Sequence, residues 1–139
     1  MAQPDRYSVH FRVSGPDLDV DALTAAGRPR GAHEVWRRGE LVGDEGHVAL
    51  TSGLQIELVD AADEADVLDA LDAFLETEAT FLAALARVPT DETLSVLACA
   101  LWVGGDEPVS LTLPAPLAAR VAAAGISIEV TGFPVGDTE

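Results

Sequence analysis

Residues 94–103 read Leu94-Ser95-Val96-Leu97-Ala98-Cys99-Ala100-Leu101-Trp102-Val103. In an extended chain, side chains alternate between two faces. Leu94, Val96, Ala98, Ala100 and Trp102 then share one face, and Leu97, Cys99, Leu101 and Val103 share the other. A strand apolar on both sides is central in its sheet, or has a helix over one face and a loop or partner over the other.

Upstream, Tyr7, Val9, Phe11 and Val13 alternate with Ser8, His10, Arg12 and Ser14, the pattern of a half-buried strand. Ser14-Gly15-Pro16 ends it, and Asp17 or Asp19 caps a short helix through Ala26 that Gly27 stops. Residues 28–47 read as loop with one or two short extended pieces, including Gly43-Asp44-Glu45-Gly46, and His47 to Leu50 as a short strand. Leu54, Ile56 and Leu58 define a second long strand.

From Asp63 to Val88, the residues Val67, Leu71, Phe74, Phe81, Leu85 and Val88 follow helical spacing. Glu78 falls on that apolar stripe, which predicts a break near Thr77, and Pro89 ends the helix. Beyond residue 103, Gly104-Gly105-Asp106-Glu107-Pro108 predicts a turn and Val109 to Leu113 a short strand. Pro114 and Pro116 open a helix to Ala124, closed by Gly125, and Ile126 to Thr131 form a last strand.

Strands with helices between them predict one α+β domain over residues 1–139: a mostly antiparallel sheet with helices packed on one face. A strand, turn and helix ending in Ala-Ala-Gly recurs at 7–27 and 94–125, which allows two β-α-β halves of ferredoxin-like type. A chain of this length buries roughly 68% of its unfolded surface without needing covalent staples.

The net charge is -16, with eight arginines and no lysine. It is unevenly laid out. Residues 1–39 hold six arginines against five carboxylates, whereas residues 40–139 hold two against nineteen. Such acidity disfavours nucleic acid, whose binders neutralise phosphates, and anionic membrane surfaces. There is no apolar run long enough to span a bilayer and no signal-peptide pattern in residues 1–6, so the expected location is cytoplasmic. Cys99 is the only cysteine and lies among apolar neighbours, where an inert thiol is expected.

His10, His33 and His47 show no metal-ligand spacing, and the chain carries no phosphate-cradling loop or nucleophile elbow. No cofactor, metal or catalytic residue is expected, and enzyme activity is the less favoured class.

Several short stretches together resemble the bacterial domain-of-unknown-function family 4279. They are Phe11-Arg12-Val13-Ser14-Gly15 running into residues 17–24, then Pro29, then Arg38-Gly39-Glu40. Near the end, Leu111-Thr112-Leu113-Pro114 leads into Leu117, Val121, Gly125 and Ile126-Ser127-Ile128-Glu129-Val130. Members often carry a tryptophan soon after the triplet and end the last strand with Asp and Tyr. Here those regions read Gly46-His47-Val48-Ala49-Leu50 and Thr131-Gly132-Phe133. The resemblance implies no established catalytic activity, and the toxin systems beside some members imply an immunity-like role.

Two functional readings follow from the residues. Asp66, Asp69, Asp72 and Glu76 project from one side of the long helix, away from its apolar stripe. They define a docking surface for a basic protein, since acidic surfaces steer basic partners. The module is then non-enzymatic, immunity- or antitoxin-like. Alternatively, Arg28, Arg30, Arg37 and Arg38 with Trp36 hold an anionic small molecule. The simpler account of either cluster is a solvated helix face, or arginines folded back onto the protein's own carboxylates. Oligomeric state stays open.

Overall fold

The computed structural model describes residues 6–31, 33–42, 46–89, 93–104 and 108–134. The loop expected at 43–46 and the turn at 104–108 lie partly outside the described residues, and residues 1–5 lie wholly outside them.

The elements run β1 (Tyr7–Gly15), α1 (Val20–Gly27), β2 (His33–Trp36), β3 (Leu41–Val42), β4 (His47–Val48), β5 (Ser52–Ala61), α2 (Glu64–Thr77), α3 (Ala79–Leu85), β6 (Leu94–Val103), α4 (Ala115–Ala123) and β7 (Ser127–Pro134). Five strands form one sheet in the order β2-β5-β1-β6-β7, and β3 pairs with β4 in a separate small ladder. All contacts in the main sheet are antiparallel except β6–β7, which is parallel. The architecture is α+β, mostly antiparallel, with four helices among the described residues.

The half-buried strand at residues 7–15 holds the centre. β1 pairs on one side with β5 and on the other with β6. Its residues Tyr7, Val9, Phe11 and Val13 are buried against the helices, in one cluster with Leu23 of α1, Leu71 and Phe74 of α2, Phe81 of α3 and Val121 of α4. Phe11 is the hub. Its ring lies 5.3 Å from that of Phe74 and 5.9 Å from that of Phe81, the latter edge-on. Each such pair adds about 0.5–1.5 kcal/mol beyond area burial.

The strand at 94–103 lies one place in from an edge. Leu97, Cys99 and Leu101 face the helices and are buried. On the opposite face Val96 and Ala98 are buried, and Trp102 stacks on Phe133 of β7 with ring centroids 5.8 Å apart. Phe133 thus extends this second apolar face sideways, and both rings remain partly exposed.

The repeated strand–helix units are present as β1–α1 and β6–α4. In each, the helix leads to a strand parallel to the one before it: α4 to the adjacent β7, and α1 to β2, which runs parallel to β1 with β5 between them. The two β-α-β halves are β1-α1-β2 and β5-α2-α3-β6, interleaved in the sheet as in ferredoxin-like folds, with β7 added beside β6. The helix break falls where Glu78 interrupts the stripe, between α2 and α3.

Two local expectations are corrected. Residues 109–113 are not a strand. They are held by side chains instead: the Tyr7 hydroxyl donates to the Ser110 carbonyl at 2.7 Å, and the Glu64 carboxylate accepts from the Thr112 N–H at 2.6 Å. Their apolar residues Val109, Leu111 and Leu113 pack against the core without a ladder. The stop of α1 is Arg28, which takes the left-handed conformation at φ 48° and donates its N–H to the Thr24 carbonyl. Gly27 is buried within the helix end because a Cβ there would sit 2.8 Å from Phe81 Cδ1 and 3.0 Å from its Cα.

Candidate functional site

The outer side of α2 follows from its composition. Val67, Leu71, Phe74 and Leu75 are drawn into the core, so the residues offset by about half a turn face water. These include Asp66, Asp69, Asp72 and Glu76, all exposed. Asp72 accepts from the Arg120 guanidinium of α4. Asp66, Asp69 and Glu76 have no cationic partner among the described residues. The four carboxylates are thus brought together on one side, with one of them neutralised.

The arginine segment divides. Arg37 grips Asp21 at the start of α1, with Nε to Oδ2 at 3.1 Å and an Nη to Oδ1 at 2.6 Å, and reaches Glu40 at 3.8 Å. The hydrogen bond from Arg37 holds the Asp21 carboxyl below its ordinary range, and Asp21 in turn raises Arg37. Arg38 lies 3.7 Å from Asp17. Arg28 and Arg30 are exposed, and their guanidiniums have no partner among the described residues. Trp36 is half-buried over Gly53, where a Cβ would lie 2.7 Å from its Cε2. Two of the four arginines are thus engaged by the protein's own carboxylates.

The residue that sequence reasoning passed over is Glu78. It is 3% exposed, and its carboxylate accepts the backbone N–H groups of Arg30 (2.8 and 3.1 Å to the two oxygens) and Gly31 (2.8 Å). Its oxygens are met by backbone N–H dipoles, and no cation pairs with it among the described residues. Glu78 thereby ties the arginine segment to the joint between α2 and α3. An acidic residue on an apolar stripe was the available signal.

Between α1 and the end of α3 lies a cleft of about 620 Å³. Leu18, Leu23 and Val88 form its apolar walls, and Asp17, Asp19 and Arg87 bring charge to it. Asp19 is occupied as the α1 cap, accepting from the Ala22 N–H at 3.0 Å. None of Arg28, Arg30, Trp36, Arg37 or Arg38 lines the cleft. Size and lining suit a small organic molecule.

Cys99 is buried, and burial pushes its thiol up to about 11. No helix among the described residues is long and apolar enough to cross a membrane. No protein-family model matches the chain, and no curated protein matches it.

Proposed function

We propose that the protein is a non-enzymatic, cytoplasmic interaction domain that captures a basic protein through the outer side of α2. An immunity- or antitoxin-like role follows if that partner is a basic toxin. Kinship with family 4279 is part of the same proposal and rests on the short motifs quoted above. The observation that carries it is the set Asp66, Asp69 and Glu76, exposed on one rigid helix without counterions among the described residues. Rigid placement matters because like charges left together repel, and a cationic partner relieves that repulsion.

The test is the triple change Asp66→Asn, Asp69→Asn and Glu76→Gln. Each exposed ion pair contributes about 0.2–1 kcal/mol, so three together weaken binding of a cationic nuclease domain by roughly 3- to 150-fold. Surface plasmon resonance at low and high salt measures this, and the salt dependence should flatten in the variant. Equal affinity and equal salt dependence would refute the reading.

The cleft favours a second reading, in which an apolar body rests on Leu18, Leu23 and Val88 and an anionic head meets Arg87. Decanoate serves as the calorimetric probe. Saturable binding lost in Ala22→Trp and weakened in Arg87→Gln supports it, and the absence of binding rejects it.

A further inference from the structure

The two edges of the main sheet are built differently. β2 is four residues long and carries His33 and Glu34. β7 is eight residues long and has one charged residue, Glu129, with proline only at its last position. Sheet edges are ordinarily blunted by shortness, charge, proline or bulges, since their unpaired N–H and C=O groups template another strand. β7 has little of this protection. Its outer backbone edge has no ladder partner among the described residues.

Its side chains fit the same reading. Ile128 and Val130 align with Leu97 and Cys99 and so lie on the helix side, yet they are 40% and 54% exposed. Among the described residues, β6 is the principal neighbour of β7. On the opposite face Trp102 (37%) and Phe133 (45%) are exposed, and Val103 (45%) extends the helix-side patch. The apolar surface flanking this edge is split between the two faces of the sheet, with roughly 200 Å² on each, and a strand added at the edge would extend over both.

We propose that β7 pairs antiparallel with β7 of a second copy, giving a continuous ten-stranded sheet. Two observations select a second copy over another partner. The first is charge. A chain at -16 repels itself over most of its surface, and residues 124–134 contain only Glu129. Self-association is least opposed here, whereas a basic partner finds its carboxylates elsewhere.

The second is register. A two-fold axis at Val130 sets Val130 against Val130, Ile128 against Gly132, Glu129 against Thr131 and Ser127 against Phe133. Every pair shares a face, as strand pleating requires, and the two glutamates do not meet. Gly132 leaves room for the incoming Ile128, since a Cβ there would have only Val103 near it, at 3.7 Å. The two copies together bury on the order of 1,000 Å², the lower limit for a specific interface, so the dimer is weak and reversible.

Sedimentation velocity of the whole chain from about 5 to 500 µM tests this, at low salt and at about 0.5 M salt. A monomer–dimer equilibrium is expected, with a dissociation constant on the order of tens of micromolar that falls several-fold as salt screens the mutual repulsion. Val130→Asp and Val130→Arg each place like charges on the axis, and both should be monomeric. Val130 is half-exposed, so both variants should keep the wild-type circular dichroism spectrum. Three outcomes overturn the proposal: a wild-type chain monomeric throughout, dimerisation that survives both changes, or loss with Asp but retention with Arg. The last would mean that bulk charge, not strand pairing, sets association.

Discussion

Replacing Glu78 by alanine removes the acceptor of two backbone N–H groups at a buried joint. The carboxylate takes three close contacts from Arg30 and Gly31, at 2.8, 3.1 and 2.8 Å. A hydrogen bond to a charged group contributes about 1.5–3 kcal/mol net, and a buried donor left without its acceptor costs about 1–3 kcal/mol. The Arg30 and Gly31 amides are only part-buried, so water recovers some of that loss. The expected cost of Glu78→Ala is therefore about 3–4 kcal/mol, or a fall in Tm of roughly 10 °C for a domain of this size. Glu78→Gln keeps the shape and one acceptor oxygen, and should cost about 1–2 kcal/mol. Urea unfolding with an unchanged slope measures both values. Amide hydrogen exchange adds a local reading, because the Arg30 and Gly31 protons should lose protection first. If Glu78→Ala changes stability by less than about 0.5 kcal/mol, or leaves those two amides as protected as before, the carboxylate is not what holds the segment.

Gly27→Ala should destabilise by about 1–3 kcal/mol, because Phe81 must withdraw and with it the edge-on contact to Phe11; a thermal melt equal to wild type would contradict the close packing of α1 on α3. Cys99 should resist a thiol-specific disulfide reagent at pH 8 in the folded protein and react fully in urea, since its thiol is pushed up to about 11; rapid labelling of native protein would show the site is open. The pH dependence of Asp21 has a definite sign. Its folded value lies below the ordinary 3.8, so the contribution of its pair with Arg37 is full above that pH and is lost as acid protonates the folded carboxylate. Asp21→Asn should accordingly separate from wild type in denaturant midpoint near neutrality and converge with it in acid; parallel profiles would mean that the pair contributes nothing.

The fold was readable where burial imposes a period. The alternation at residues 7–13 and the double apolar face at 94–103 located two adjacent strands, although the central place belongs to β1 and β6 lies one place in from the edge. The stripe from Val67 to Leu85 placed α2 and α3, and the one acidic intruder marked their joint. What the intruder does was not readable, because its partners are backbone groups 47 and 48 residues away in the chain, and backbone donors look alike at every position. The same limit applies at residues 109–113. The alternation there is real, but an irregular segment held by Tyr7 and Glu64 buries alternate side chains as a strand does. On the candidate site, the clustering of carboxylates on α2 followed from helical geometry alone. The separation of Arg37 and Arg38 from Arg28 and Arg30 did not, since it depends on where α1 presents Asp17 and Asp21.

The position of β1 has a consequence for how the chain is made. The central strand of the sheet is the first to be synthesised, and its second neighbour begins only at Leu94. At typical elongation rates the ribosome needs roughly 4–16 s to cover that interval. During it, Tyr7, Val9, Phe11 and Val13 have no complete surface on which to rest. β5 arrives earlier and offers a provisional antiparallel mate, but the other edge of β1 stays open until β6 emerges. Assembly of this domain therefore waits on a late segment closing over an early one. Nascent chains arrested before residue 94 should be the form most dependent on chaperones.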